Sequence, residues 1–263
     1  VSSRLIDEVE NDKNDGNRKV EIILDTTAMH PQGGGQPTDI GTISITGDDC
    51  KDYVINVERV DIDRSSGIVT HKGTLSCLSD VKEEEKQAVD HDSTNLLPFG
   101  AGSEVKVTVD PENRRIVSEC HTAGHVLDAA MARCGRIMPP TKGFHFLDGP
   151  YVEYKGSIPP NEREETIKSL NAAFQDLLNE DTETKIEALP QDEADKLCNR
   201  LAKNFNMSDY GEGNIRVVTV AGWSSPCGGT HVKSTAELKE RGWTITGIKS
   251  KKGVVRVKYN PAK

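Results

Sequence analysis

The sequence predicts an α+β protein: a small β-barrel carrying a glycine-rich motif, followed by an α/β sandwich. Three observations predict it. Short β-patterned runs bounded by glycine and proline turns fill the chain up to Asp110. At Asp110-Pro111 the apolar pattern switches from alternation to a repeat every three or four residues. From there to Tyr259, helical stripes and strand-like runs follow one another in an order that suits helices packed on mainly antiparallel strands.

Taken in order, residues 1–19 read as a charged, flexible tail. Strands are expected at VEIILDTT, IGTISI, DYVINVERV, SGIVTHKG and SEVKVTVD, the last ending at Asp110. Between the first two lies MHPQGGGQPTD, a loop with three glycines and two prolines. Residues 80–98 are acidic and polar and read as an irregular insertion. Asp110 can cap a helix whose first position suits Pro111. The stripe Ile116, Cys120, Ala123, Leu127, Ala130, Cys134 continues that helix until Gly135 closes it. GFHF and YVEYKG follow as strands joined by a turn at 147–150. A second helix over 161–178 carries Ile167, Leu170, Phe174 and Leu177 on one face, and a third is expected over 191–205. IRVVTV, WTITGIKS and GVVRVKY close the chain as strands. The expected organisation is therefore a tail (1–19), a β-barrel domain (20–110) and a second domain (111–263).

Composition bounds the class. The chain of 263 residues is 35% hydrophobic and 29% charged, which describes a globular protein rather than a disordered or membrane-spanning one. The polar start is no secretory signal, although the chain opens on Val1 rather than methionine and a preceding segment is expected. Six cysteines lack the dense spacing of a disulfide framework, which points to a reducing, cytoplasmic setting. The net charge of -9 argues mildly against a nucleic-acid partner. Its distribution argues the other way: Lys249, Lys251, Lys252, Arg256, Lys258 and Lys263 run to the end without an acid among them. That run reads either as a solvated edge strand or as an RNA contact.

The chemistry concentrates in two short segments. His121 and His125, four apart in ECHTAGHV, share a helix face and are spaced to bind one metal. Cys227 and His231 repeat that spacing in PCGGTHV, with Gly228 and Gly229 between them to let a loop wrap closely. A lone helical histidine is usually an ordinary surface or core residue; two such pairs in one chain are harder to dismiss. Imidazole plus thiolate favours zinc over magnesium or calcium.

HTAGH, PCGGTHVKSTAEL and HPQGGGQPTDIGTI together resemble the editing domain of alanyl-tRNA synthetase and its freestanding relatives, the AlaX proteins, from about Val20 to Tyr259. The resemblance implies a glycine-rich-motif barrel followed by the second additional domain shared with threonyl-tRNA synthetase. It assigns His121, His125, Cys227 and His231 to zinc. It implies hydrolysis of serine or glycine wrongly attached to the alanine tRNA, with the tRNA acceptor end as partner. With no apolar run near the roughly 20 residues of a membrane span, no membrane partner is expected; a monomer is one expectation, and the sequence leaves the oligomeric state open. His121, His125, Cys227 and Thr141 are the expected catalytic positions. Gly33, Gly34, Gly35, Gln36, Lys142, Gly228 and Gly229 are expected at the substrate. Two departures stand out: Gly124 where the family usually carries threonine, and Thr141 where it often has glutamine.

Pocket energetics explain the need for such an enzyme. A pocket built for alanine rejects serine or glycine by only about 1–3 kcal/mol, too little for translation, so a second site must hydrolyse the mistakes. Four protein ligands make a closed site whereas catalysis needs an open position; the expectation is that His231 exchanges. No Gly-Lys-Ser/Thr follows the glycines, so they form no nucleotide phosphate loop, and the sequence shows no ATP-binding motif. The alternatives are an editing-fold tRNA-binding module with little or no turnover, a purely structural zinc domain, and a threonyl-tRNA synthetase editing domain.

Overall fold

The structure, a computed structural model, describes residues 2–4, 18–46, 51–77 and 99–262. The expected insertion at 80–98 lies outside them, as do 5–17 of the expected tail. The chain divides into two compact units, one of residues 1–32 and 38–114, the other of 33–37 and 115–263.

The first unit is a six-stranded antiparallel sheet. Its strands are β1 (Ser2–Arg4), β2 (Arg18–Ile23), β3 (Gly41–Thr46), β4 (Asp52–Ile62), β5 (Val69–Cys77) and β6 (Val105–Val109). Their order is β1-β2-β5-β4-β3-β6. Alternation sends Val20, Ile22, Ile43, Ile45, Ile55 and Val57 to one side, where they form a core with Met29 and Phe99. A closed barrel requires a ladder between the first and last strands. Among the described residues β1 and β6 are not neighbours, so the unit described is a sheet and not the expected closed barrel. Part of the expected tail is β1 itself, paired with β2. The loop after β2 is clamped at its base. Asp39, fully buried, accepts the His30 N–H and forms an ion pair with Arg114, which also donates to the Ala28 carbonyl at 2.7 Å.

α1 (Pro111–Arg133) opens as expected, with the Asp110 carboxylate accepting the Asn113 N–H at 2.8 Å. The stripe suggested one buried face. Instead every residue from Val117 to Met131 is buried, so α1 is a core helix enclosed on all sides. Glu119 is buried within it and is compensated by Arg115 at 3.1 Å, Arg241 at 2.9 Å and the Trp243 indole N–H at 3.2 Å.

Two further sheets surround this helix in the second unit. β12 (Thr244–Lys251), β13 (Val254–Asn260), β8 (Tyr151–Lys155) and β7 (Pro140–Phe144) form an antiparallel sheet in that order. β11 (Trp223–Pro226), β10 (Ile215–Val220) and β9 (Lys185–Leu189) form a three-stranded one. α2 (Arg163–Asn179) packs on β12, and its Asn171 amide bonds both backbone groups of Ile245, at 2.9 and 2.8 Å, where a bulge breaks the β12–β13 register. α3 (Gln191–Cys198) is shorter than expected. The Asn199 carboxamide oxygen accepts the N–H groups of Asn204 and Phe205 at 2.8 and 3.0 Å, turning the chain out of the helix. No helix among the described residues is long and apolar enough to cross a membrane.

Asp128 on α1 accepts the Tyr154 hydroxyl at 2.7 Å. Burial raises its carboxyl from an ordinary 3.8 to about 7. The folded state thus keeps a proton that the unfolded chain releases, so this group's stabilising contribution is complete below about pH 4 and is lost as pH rises through about 7. Asp128→Asn, followed by calorimetric melting across that range, is expected to flatten the decline in Tm relative to wild type.

Candidate metal centre

α1 brings His121 and His125 to one face, as a four-residue helical spacing must. The segment after β11 brings Cys227 and His231 against them, and the four ligand atoms lie within 4.8 Å of one another. His125 Nε2 stands 3.3 Å from His121 Nε2, and Cys227 Sγ stands 3.5 Å from His121 Nε2 and 3.4 Å from His231 Nε2. A tetrahedral zinc ion, with metal–nitrogen distances of about 2.0–2.1 Å and a metal–sulfur distance of about 2.3 Å, sets donor separations of about 3.3–3.6 Å.

The orientation of each ring is determined from outside the cluster. Gln36 Oε1 accepts the Thr230 N–H at 2.9 Å and lies 2.7 Å from His121 Nδ1, while Gln36 Nε2 donates to Thr230 Oγ1 at 2.9 Å. An oxygen that already accepts a backbone N–H defines the amide's orientation, so His121 Nδ1 carries the proton and Nε2 presents its lone pair to the cluster. Thr122 Oγ1 donates to the Ser118 carbonyl at 2.8 Å and therefore accepts from His231 Nδ1 at 3.1 Å, leaving the His231 Nε2 lone pair facing inward. His125 Nδ1 meets Ser225 Oγ at 3.1 Å. The middle of the cluster therefore requires protons or a cation, and the three short separations of 3.3–3.5 Å suit a metal ion, within a set whose ligand atoms lie within 4.8 Å of one another. Burial, with a smaller push from Arg216, lowers His125 to about 4, so it is neutral near pH 7. Burial also raises the Cys227 thiol, opposed by the Gly229 N–H and by Arg216.

The glycines divide the work. A side chain at Gly229 would collide with the His121 ring and with Gln36 Oε1, whereas one at Gly228 would meet nothing. The cluster is buried on its α1 side, at His121 and His125, and partly buried at Cys227 and His231. His231 is oriented as firmly as the other rings, which counts against its being the loosely held ligand; its partial exposure alone sets it apart.

Other expected site residues stand elsewhere. Gln36, expected at the substrate, is fully buried and committed to His121 and Thr230. Gly35, at φ +82°, lies against Gly143, while Gly34, at φ +58°, borders open space and Gly33 pairs with Gln36 in the turn. Thr141 is exposed, its hydroxyl donating to the Glu153 carbonyl at 3.3 Å, outside the ligand cluster. Lys142 is exposed on β7.

His145 is the residue that sequence reasoning missed. It is buried, stacks on His121 with centroids 4.3 Å apart, and meets the Tyr259 hydroxyl at 2.5 Å through Nδ1. Burial, with a smaller push from His125, lowers it to about 3. Side chains at Gly124 and Gly143 would each press on this ring, the added carbon standing 2.5 Å from Cε1 at Gly124 and 2.3 Å from Nε2 at Gly143, whereas one at Gly35 would collide with the Gly143 backbone. Gly124 and Gly143 form its cradle. The signal was present in GFHF, where alternation puts His145 opposite two phenylalanines, on the core side.

Residues 215–258 match the family described as the threonyl and alanyl tRNA synthetase second additional domain. The alanyl-tRNA editing protein AlaX-L of Pyrococcus horikoshii is 30% identical over 84% of the chain and 46% of its own length. The chloroplastic/mitochondrial alanine–tRNA ligase of Arabidopsis thaliana is 30% identical over 84% of the chain and 20% of its own. The alanine–tRNA ligase of Halobacterium salinarum is 27% identical over 89% and 22%. The chain thus spans less than half the length of each of these relatives. Residues 215–258 carry a segment of the second additional domain. More narrowly, the chain carries an editing domain of the alanyl-tRNA synthetase and AlaX type.

Gln36→Ala is expected to weaken divalent-metal binding about 10–100-fold, read by competition with a chromogenic chelator, because His121 loses its orienting partner. Gly124→Thr should lower Tm and bound metal, and adding His145→Ala should recover part of both. A double-mutant cycle showing no coupling would contradict the cradle.

Proposed function

We propose that the chain is a zinc-dependent deacylase that hydrolyses serine or glycine from mischarged alanine tRNA in trans, with residues 111–263 as the zinc-bearing editing domain. The observation that carries this reading is the convergence of His121, His125, Cys227 and His231 with ring orientations imposed from outside, in a chain related to an editing protein. Zinc held by those residues would supply a Lewis acid for the ester carbonyl. In the overall reaction, water's oxygen bonds to the carbonyl carbon and the ribose oxygen leaves with a proton.

The chain's own residues prepare the centre for that chemistry. Gln36, Thr122 and Ser225 hold the three rings without occupying the inward nitrogens. Gly229 lets the backbone lie against His121, and the open space at Gly228 leaves the Cys227 and His231 side approachable. A closed structural zinc site would have no use for that exposure.

A second reading, a tRNA-binding module with little or no turnover, draws on one observation: the His145 ring fills the space that a side chain at 124 would occupy beside the ligands.

Deacylation of Ser-, Gly- and Ala-tRNA by metal-loaded and chelator-stripped protein separates the two. The expected result is metal-dependent release of serine or glycine with alanine spared, and loss of both zinc and activity in Cys227→Ala. Hydrolysis that persists in metal-free protein would refute the proposal, and binding without turnover would establish the second reading.

A further inference from the structure

The β7–β8–β13–β12 sheet has two faces of opposite character. Val152, Tyr154, Val255, Val257 and Tyr259 point into the core. On the other face the register places Phe144 beside Tyr151, Tyr151 beside Lys258, and Glu153 between Lys142 and Arg256, with Lys249 opposite Arg256. Lys142, Lys155, Lys249, Lys251, Arg256 and Lys258 lie on this face against one acid, Glu153, in a chain with 33 basic and 42 acidic residues. Glu153 is itself held by Arg256 at 3.0 Å.

Three aromatic rings line one end of this basic face. Phe146 stacks on Phe144 at 4.6 Å and 23°, and Phe144 on Tyr151 at 5.2 Å and 16°. The Arg256 guanidinium lies 4.1 Å over the Tyr151 ring. None of the three rings is fully buried. Near-parallel aromatic faces beside a guanidinium and unpaired lysines are what an unpaired nucleic-acid strand requires: π-faces for its bases and cations for its phosphates. A core cluster would be turned inward, and a merely solvated sheet would carry charges of both signs.

We propose that this face binds single-stranded RNA, with Phe144, Phe146 and Tyr151 stacking the unpaired nucleotides at the 3′ end of a tRNA and the lysines meeting the backbone. The assignment rests on the tRNA reading above and adds the surface that holds the strand. Phe144 and Phe146 are the chain neighbours of His145, whose ring stacks on His121. Alternation points the two phenylalanines away from His145, so the ladder lies on the opposite face of the sheet from the ligand cluster and is joined to it through this one segment of chain.

Fluorescence anisotropy with uncharged alanine tRNA, and with the same transcript lacking its unpaired 3′ nucleotides, tests the assignment at several salt concentrations. Phe144→Leu/Phe146→Leu keeps apolar bulk and removes two π-faces. It is expected to bind full tRNA about tenfold more weakly with an unchanged salt slope, and to bind truncated tRNA as wild type does. Lys249→Ala/Lys251→Ala is expected to reduce the slope of log K against log salt by about 1–2. Tyr151→Leu provides the same aromatic readout if the double leucine variant melts early. Folded variants that bind both transcripts like wild type would overturn the proposal, as would capture of a protein partner on this face with tRNA binding unaltered. Mischarged-tRNA hydrolysis by wild type, measured alongside, keeps the two readings apart. Ladder-dependent binding without hydrolysis removes only the deacylase, and hydrolysis with ladder-independent binding removes only this surface.

Discussion

Ring nitrogens whose lone pairs face one another across little more than 3 Å repel unless protons or a cation stand between them. His121 and His125 are held in that arrangement at 3.3 Å, and the Cys227 sulfur, 3.5 Å from His121 Nε2 and 3.4 Å from His231 Nε2, joins the third ring to the set. None of the three rings can relieve it by turning, because each outer nitrogen is engaged by Gln36, Ser225 or Thr122. The surroundings make the same demand. α1 is enclosed on all sides from Val117 to Met131, so water does not screen the two histidines it carries.

Close approach, more than flexibility, explains the glycines around this centre. Gly229 admits the backbone against the His121 ring, Gly35 lets its loop lie against the Gly143 backbone, and Gly124 and Gly143 leave the volume that the His145 ring fills. The departure at Gly124 is thus structurally linked to His145. The wall beside the ligands is made by an imidazole on the β7–β8 connection in place of a side chain on α1. Tyr259, shared between His145 and Cys120, ties that wall back to the core.

The four-stranded sheet links this interior to the surface. Its alternation sends Val152 and Tyr154 inward to α1 and Tyr151 and Glu153 outward, so one strand supports the core and displays the aromatic ladder. The overall charge of -9 conceals that face, because the acids lie elsewhere in the chain. Local charge, not the total, determines which polyanion a surface can approach.

Local patterns were legible in the sequence because the physics behind them is local. Asp110-Pro111 marked the start of α1 through capping, and the two four-residue spacings announced a metal cluster because helix pitch and a short glycine loop determine where such pairs point. β9 escaped notice because an exposed strand of sequence KIEAL has no burial to impose alternation. The role of Gln36 depends on His121, 85 residues away, and that of His145 on Gly124, on a different element of the chain. Phe144, Phe146, Tyr151 and Arg256 became a ladder only through strand register. By itself the sequence determined which side chains can bind a metal and which elements carry them. The tertiary structure alone decided which nitrogen of each ring faces the centre, what supports it and which face of the sheet turns outward, because those depend on hydrogen bonds and packing between residues far apart in the chain.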